Sequence, residues 1–316
     1  MTRCYDTAII GAGPAGLSAA LILARARRAV AVYDGGAPRN RRAKRLGGFL
    51  TRDGTAPADF LQMARSELGR YDTVSLCENT MVVDAKVSES GFRLISEAGD
   101  ISCRKLLVAT GVTDIVPPVR GADEFYGSGV FHCPYCDGYE RRNQRLAVLG
   151  HGRSAVDIAL ELKGWSSNVT VLTDGRSRLT EACRTRLDAL QIAQRSERIA
   201  QLEGSDGRLA GVRFRSGETL AIDALFFGSV GRPNTEIARR LGAAKVRGGF
   251  IRSSGYGKTS VPGLFAAGDV IRHVQLAIVA AGEGAAAGFA INNELLKEDL
   301  ARDTERGRSI LSASAG

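Results

Sequence analysis

Two glycine-rich turns, each placed between a short apolar run and a helical segment, constrain the fold of this chain more than any other feature. The first spans 11–16 (GAGPAG) and the second spans 150–155 (GHGRSA). Glycines at such a junction let the backbone approach a pyrophosphate, and the following helix offers unpaired N–H groups and the positive end of its dipole. The sequence therefore predicts two dinucleotide-binding βαβ units.

The first unit is complete in the sequence. A strand is predicted over 7–10, a helix over 17–29 and a second strand over 30–33, with Asp34 directly after it. An acid at this position can accept hydrogen bonds from a ribose. The candidate cofactor contacts of this unit are Gly11, Gly13, Pro14, Ala15, Gly16 and Asp34.

The second unit repeats the pattern, with strands over 146–149 and 169–172 and a helix that ends near Lys163. Two further strand ends run into a glycine turn, at Thr110–Gly111 and at Gly268–Asp269. Either could be an ordinary strand end, but beside two fingerprints the cofactor interpretation is favoured. These four residues are therefore candidate cofactor contacts as well.

Cys133 and Cys136 form the one closely spaced cysteine pair, in the run CPYCDG. Two intervening residues at a helix start let the sulfurs meet, and a helix N-terminus favours the reactive thiolate. Asp137, beside the second sulfur, can give or take a proton during thiol exchange. The preceding His132 could stabilise a thiolate as an imidazolium or could be a partly exposed histidine at a domain junction.

The alternative interpretation of the cysteine pair is half of a zinc site. Zinc needs two more ligands, and neither Cys103 nor Cys183 has a paired neighbour. No metal site is therefore expected.

Length and composition suggest how the units are arranged. With 316 residues and 44% hydrophobic content, the chain can form about two domains. We expect an α/β fold in which a first domain, 1–114 plus 242–316, is interrupted by a second domain, 115–241. The polar stretch after Lys297 predicts a short helix that frays.

The formal charge of +9 raises the possibility of nucleic-acid binding, but the basic residues are scattered and aromatics are only 6%. The run Arg39–Arg45 is most simply a solvated face, or else an anchor for cofactor phosphates or an acidic partner, and Arg39 is kept as a cofactor candidate. The chain shows no bilayer-length apolar run and no disulfide framework. We therefore expect neither nucleic-acid nor membrane binding, and a cytoplasmic location.

Together these motifs resemble the low-molecular-weight thioredoxin reductases within the FAD-dependent pyridine nucleotide-disulfide oxidoreductases. The resemblance covers nearly the whole chain and rests on the order and spacing of five motifs. It implies two Rossmann-like, three-layer domains, the second inserted into the first. It also implies FAD in the first domain, with Asp34 on the adenosine ribose and Asp269 near the ribityl chain.

The same resemblance assigns roles to the dithiol. Cys136 would face the flavin, Cys133 would exchange with the substrate, and Asp137 would be the general acid–base group. Members of the family are usually homodimers whose inserted domain rotates. A homodimer is therefore expected.

Two departures from the family pattern bear on function. Where NADPH-using members carry arginines for the 2′-phosphate, this chain has Asp174 and Gly175, with Arg176 and Arg178 one turn later. An acid there repels a 2′-phosphate and suits the free ribose hydroxyl of NAD, so NADPH use is in doubt and NADH stays open. The candidate nicotinamide-nucleotide contacts are Gly150, Gly152, Ala155 and Asp174.

Near the flavin, an Arg-Gln pair of the family is replaced by Gln275-Leu276, which are kept as cofactor candidates. The nearby His273 could approach the flavin or lie on the surface. The CPYC sequence followed by Gly138-Tyr139-Glu140 resembles a subgroup that includes gliotoxin- and holomycin-type dithiol oxidases. Such enzymes close a disulfide in a natural product and pass the electrons through FAD to oxygen.

The leading hypothesis is thus an oxidase of a small-molecule or peptide dithiol. The alternatives are an NAD(P)H-dependent reductase of a thioredoxin-like protein or another disulfide, and a redox sensor that docks a partner through the run Arg39–Arg45.

Overall fold

A computed structural model describes residues 4–175, 178–228, 231–272 and 274–313, with side chains up to residue 306. Arg176 and His273, both named above, lie outside the described residues. In chain order the strands are β1 (Cys4–Ile10), β2 (Val30–Tyr33), β3 (Val74–Cys77), β4 (Val82–Ser88), β5 (Gly91–Ser96), β6 (Gly99–Val108), β7 (Val112–Thr113), β8 (Val130–Phe131), β9 (Leu146–Leu149), β10 (Val169–Leu172), β11 (Ala193–Arg195), β12 (Ile199–Ser205), β13 (Arg208–Phe214), β14 (Thr219–Ala221), β15 (Ala224–Phe227), β16 (Arg232–Pro233) and β17 (Leu264–Ala266). The α-helices are α1 (Pro14–Arg25), α2 (Pro57–Leu68), α3 (Pro134–Asp137), α4 (Gly152–Leu162), α5 (Glu181–Ala189), α6 (Glu236–Arg240) and α7 (Ala277–Ala313).

The chain forms two compact units. The first contains Met1–Arg39, Ala58–Thr113 and Arg232–Gly316, and the second contains Asn40–Pro57 and Asp114–Gly231. These units differ from the predicted domains in two places. The chain returns to the first unit at Arg232 rather than at 242, because β16 pairs antiparallel with β7. The segment 40–57 groups with the second unit, where Arg42 pairs with Asp123.

The first unit is built on a sheet with the strand order β3-β2-β1-β6-β5-β4, and β17 also pairs with β6. The strands β1, β2, β3, β6 and β17 are parallel, whereas β4 and β5 add an antiparallel edge. Every residue of β2 and β17 is buried, as expected for parallel strands covered on both faces. The glycine turn after β1 thus opens at the carboxyl edge of the sheet.

Helices α1 and α7 pack closely beside this sheet. A side-chain Cβ at Gly284 would lie 1.9 Å from the carbonyl oxygen of Ala15, so the two backbones meet where no larger residue fits. The helix α7 continues to Ala313, well beyond the short helix predicted after Lys297. Its polar end is held because Asp299 forms ion pairs with Arg28 and Arg104.

The second unit contains a parallel sheet with the order β11-β10-β9-β15-β8 and an antiparallel sheet, β12-β13-β14. The strands β9, β10 and β15 are fully buried. Both predicted strands of the second βαβ unit therefore occur at their predicted bounds, and α4 begins within the second glycine turn. In the described part of the chain, none of the helices combines the length and the apolar composition that crossing a membrane requires.

Candidate active site

Cys133 and Cys136 are joined in a disulfide at the start of α3. Cys133 occupies the N-cap position with an extended backbone, and Pro134 follows it in the first turn. The backbone N–H of Cys136 donates to the Sγ of Cys133 at 3.1 Å. A donor aimed at this sulfur favours its thiolate when the disulfide opens.

Asp137 is a partly buried carboxyl group directly after the disulfide. The pKa of Asp137 is raised from 3.8 to about 7, mainly by burial and also by the neighbouring Glu140 carboxylate, whereas Arg141 and Arg45 oppose the shift. A group with such a pKa exists in both protonation states near neutral pH. Asp137 can therefore hold or release a proton as a thiolate forms or is consumed.

The segment 40–57 packs against the backbone of the dithiol. A Cβ at Gly47 would lie 2.4 Å from the carbonyl oxygen of Cys136, so only glycine allows this approach. Arg45 lies 3.6 Å from the carboxylate of Glu140. Part of the basic run is thus occupied within the second unit, whose acidic groups it contacts.

Two exposed aromatic rings flank the disulfide. Tyr135 is 66% exposed and its ring meets Trp165 edge-on at 5.7 Å. Tyr139 is 64% exposed, and the guanidinium of Arg142 lies 4.4 Å from its centre. These rings offer apolar contact area to a substrate approaching the disulfide.

The side chain of His132 is fixed at its Nδ1 by a hydrogen-bonded pair of polar side chains. The Nδ1 of His132 lies 3.0 Å from the hydroxyl of Tyr126, and this hydroxyl donates to the Oδ2 of Asp114 at 2.7 Å. The ring of Phe227 lies 6.4 Å from the imidazole. The sequence singled out His132, but neither Tyr126 nor Asp114 belongs to a motif.

The first glycine turn has the shape of a pyrophosphate cradle. A Cβ at Gly16 would lie 1.9 Å from the carbonyl oxygen of Gly11, whereas a Cβ at Gly13 would meet nothing within 4 Å. Gly13 is the N-cap of α1, which carries no side-chain cap, and Pro14 opens the helix. Buried Ala15 packs in the same turn. The open space in front of uncapped N–H groups fits the pyrophosphate of FAD.

Asp34 follows β2 as predicted and is buried. Its Oδ1 accepts from the N–H of Gly36 at 2.9 Å, and its Oδ2 pairs with the guanidinium of Arg65 from α2. The guanidinium of Arg65 orients this carboxylate, whose oxygens keep further acceptor capacity for a ribose hydroxyl. No local sequence signal connects Arg65 to Asp34.

The Thr110–Gly111 turn is fixed from within the first unit. The hydroxyl of Thr110 donates to the carbonyl oxygen of Asn234 at 2.6 Å, and the side-chain amide of Asn234 donates to the carbonyl oxygen of Thr110 at 3.0 Å. Asn234 is another residue that sequence reasoning missed. This reciprocal pair holds the turn at the carboxyl end of β6.

The Gly268–Asp269 turn carries two polar contacts. Arg39 pairs with the carboxylate of Asp269 at 2.7 Å, so these two cofactor candidates lie together. The N–H of Gly268 donates to Glu283 of α7 at 2.9 Å, and burial raises the pKa of that glutamate.

The other two cofactor candidates of the first unit, Gln275 and Leu276, directly precede α7. The side-chain amide of Gln275 donates to the carbonyl oxygen of Arg272 at 3.4 Å. The carbonyl oxygen of Leu276 accepts from the N–H of Ala280 at 3.0 Å. The structure thus places both at the N-terminal end of this helix.

The second glycine turn keeps the packing of a nucleotide site. A Cβ at Gly150 would lie 3.0 Å from the Cβ of Ala155, and Gly152 is the first residue of α4. The backbone of Asp174 is left-handed, with φ 46°, and its Oδ1 accepts from the N–H of Ile199 at 2.8 Å. One oxygen of the acid predicted to meet a ribose is thus used to fix its own turn to β12.

No cluster of potential metal ligands occurs within the described residues. Two glycine turns that open helices, an acid directly after β2, and a disulfide followed by a carboxyl group of raised pKa are the features of a nucleotide-linked disulfide oxidoreductase.

Residues 5–284 match the model of the pyridine nucleotide-disulphide oxidoreductase family, and the chain belongs to this family. The predicted family and α/β fold class are thereby confirmed, and the family implies a flavin cofactor.

Relatives cover nearly the full length of the chain. Thioredoxin reductase tcpT of Claviceps purpurea (strain 20.1) is 34% identical, with 94% of this chain and 96% of the relative covered. Thioredoxin reductase of Escherichia coli O157:H7 is 30% identical, with 91% and 95% covered. The crystal structure of HlmI superimposes with a TM-score of 0.94 at 36% identity, with 98% and 99% covered. The chain is therefore similar to whole thioredoxin-reductase-like enzymes.

Proposed function

We propose that this protein is a dithiol oxidase that closes a disulfide in a small-molecule or peptide substrate. One observation favours this over NADPH-driven reduction. The turn that would hold a 2′-phosphate carries Asp174, and its carboxylate is fixed by the N–H of Ile199. A fixed negative charge beside the adenosine ribose opposes a phosphate there. The disulfide is formed, and the first glycine turn leaves open space in front of the uncapped start of α1.

The proposed reaction follows from the disulfide. A substrate thiolate attacks the Sγ of Cys133, the bond between the two cysteines breaks, and Cys136 leaves with the proton that Asp137 can supply. The second substrate thiolate then attacks the substrate sulfur of the mixed disulfide, which releases the cyclised product and the thiolate of Cys133.

Re-forming the protein disulfide requires the loss of two electrons and two protons. FAD, which the glycine turn 11–16 of the first unit would hold, would supply the two-electron acceptor, with oxygen as the terminal acceptor that becomes hydrogen peroxide. Asp137 is the group that takes up the proton of Cys136 as this thiol becomes nucleophilic. A carboxyl group whose pKa is about 7 serves in both directions.

The second candidate function is an NAD(P)H-dependent disulfide reductase, with a thioredoxin-like protein as partner. The tight packing between Gly150 and Ala155 supports it, since this packing preserves the nucleotide turn. The names of the relatives support it too, because several are thioredoxin reductases. Homodimer assembly and a cytoplasmic location stay predictions.

An anaerobic titration of the yellow holoprotein distinguishes the two functions. Separate samples receive NADH, NADPH or a simple dithiol while the visible absorbance of the flavin is followed. Bleaching by the dithiol alone, with rapid recovery in air, is the result expected of the oxidase. Prompt bleaching by a nicotinamide nucleotide would overturn it in favour of the reductase.

Two variants test whether the bleaching passes through the disulfide. Cys133→Ser should lose bleaching by dithiol but keep its bound flavin. Cys4→Ser, which changes an exposed cysteine outside the disulfide, is the matched control and should bleach like the wild type. Equal bleaching in both variants would exclude the proposed route.

A further inference from the structure

Three polar side chains of the second unit form a chain that ends one residue before the disulfide. Asp114, Tyr126 and His132 are partly buried and are linked by hydrogen bonds of 2.7 Å and 3.0 Å. The ring of Tyr126 also packs 6.0 Å from that of Phe227. The phenol is thus held between a carboxylate and an imidazole.

The donors and acceptors that these three side chains carry determine where each proton lies. An ionised carboxylate only accepts, so the single hydroxyl proton of Tyr126 is directed to Asp114. The phenol oxygen then meets His132 as an acceptor, and the Nδ1 of the imidazole must carry the proton. In the neutral ring the Nε2 is therefore the basic nitrogen, because the partner of one ring nitrogen fixes the state of the other.

We propose that Asp114 and Tyr126 are positioning residues that fix this tautomer of His132, so that its Nε2 takes the proton of the incoming substrate thiol. The resulting imidazolium then lies beside the thiolate of Cys133. This inference deepens the proposed function, and it rests on Cys133 as the sulfur that exchanges with substrate. In this scheme His132 takes part in the proton transfer at the Sγ of Cys133, and Asp137 in the proton transfer at the Sγ of Cys136.

The exchange balances with these groups and one proton released to solvent. The substrate S–H bond breaks as its proton moves to Nε2, and the new thiolate forms a bond to the Sγ of Cys133 while the S–S bond breaks. The second substrate thiol releases its proton to solvent water as its sulfur displaces Cys133, and the imidazolium stabilises the departing thiolate of Cys133. The hydroxyl proton of Tyr126, which is donated to the Asp114 carboxylate, stays in place throughout.

One cation of the second unit lies close to the Tyr126 ring. The guanidinium of Arg42 lies 6.0 Å from the centre of the Tyr126 ring and is paired with Asp123 at 2.7 Å. The positive charge of Arg42 is therefore attracted to the electron-rich face of the phenol ring, but the carboxylate of Asp123 compensates this charge. The carboxylate nearest the Tyr126 hydroxyl remains that of Asp114.

The first test measures the Cys133 thiol directly. In a Cys136→Ser background of the holoprotein, Cys133 is a free thiol, and iodoacetamide labelling of its peptide can be followed by mass spectrometry across pH. His132→Gln should move the labelling profile to higher pH by about one unit, a tenfold lower rate at neutral pH. Tyr126→Phe should move it in the same direction by a smaller amount.

The control for a lost phenol hydroxyl is Tyr256→Phe, an exposed ring of the first unit. It should leave the labelling profile unchanged. A Tyr126→Phe profile that coincides with that of the control would overturn the proposal. This readout involves neither flavin reduction nor oxygen, so it can fail while the oxidase assignment stands, and the reverse is equally true.

The second test reads the tautomer, which a purely structural role would not set. The chain has three histidines, so nitrogen-15 NMR spectra are simple, and His132→Gln identifies the resonance. The wild type should show a protonated Nδ1. Asp114→Asn offers an amide donor to the phenol, whose proton then turns to Nδ1, so the ring should switch to the Nε2–H form. A wild-type ring already protonated at Nε2 would refute the inference.

Discussion

Replacing Asp137 with asparagine should stabilise the second unit at alkaline pH and progressively less as the pH falls. The pKa of this carboxyl group is raised from 3.8 to about 7 in the folded protein, mainly by burial. Between these values the folded state keeps a proton that the unfolded chain has released, so wild-type stability falls as the pH rises. An asparagine has no charge to bury, and the variant escapes this loss.

The size of the effect follows from the pKa difference. About three units correspond to roughly 4 kcal/mol between acid solution and pH values above the folded pKa. The acidic part of this pH range overlaps with the titration of other carboxyl groups, so the comparison is restricted to pH 5 and above. Between pH 5 and pH 8 the wild type should lose roughly 2 to 3 kcal/mol relative to Asp137→Asn.

Trp165 makes this measurable, because it is the one tryptophan of the chain and its ring lies against Gly138 and edge-on to Tyr135. Urea unfolding of the holoprotein, followed by tryptophan fluorescence at several pH values, reports on the dithiol region. The control is Asp123→Asn. Arg42 lowers the pKa of that exposed carboxyl group, so it stays ionised throughout the window and its effect should not vary with pH.

The decisive observation is how the gap between Asp137→Asn and the wild type changes with pH. It should widen from pH 5 to pH 8 and level off above the folded pKa. A gap that is constant over this range, or that narrows as the pH rises, would refute the claim that the folded protein holds this proton. The role of Asp137 as a proton donor to Cys136 would then lose its physical basis.

Three further predictions concern packing and burial. Gly47→Ala places a Cβ 2.4 Å from the carbonyl oxygen of Cys136, so we expect a severalfold change in the equilibrium of the disulfide with a glutathione buffer, measured by thiol trapping. Lys105→Met leaves two carboxylates of α7 without their shared, mostly buried partner, and should lower the unfolding free energy by about 1–3 kcal/mol in urea. Cys103 is buried and its pKa is raised to about 12, so at pH 8 iodoacetamide should label exposed Cys4 and leave Cys103 unmodified, as counted by peptide mass spectrometry.

Local patterns predicted the elements around the first glycine turn and around the dithiol. The strand β2 occurs at its predicted bounds because its apolar run is closed by Asp34 and two glycines. The CPYC run predicted a helix start, and Cys133 is indeed an N-cap. In each case the physical cause lies within a few residues of the element.

The features that escaped prediction depend on partners far along the chain. Arg65 reaches Asp34 from another helix, and the hydroxyl of Tyr126 bridges Asp114 and His132. The helix predicted to be short after Lys297 continues to Ala313, and its residues Glu298 and Asp299 have partners on β6 and just before β2. A sequence shows which charges exist but not which of them meet.

The close contact between α1 and α7 has a consequence for how the chain matures. The flavin cradle lies at the start of α1, but its neighbour Ala15 is covered by Gly284, which a ribosome adds only after the whole of the second unit. The second unit can thus fold around its own sheet while the surface of α1 that α7 will cover is still exposed in the first unit. Uptake of the flavin should be a late event of biosynthesis, and a yellow colour should mark a chain that has been translated at least to Gly284 of α7.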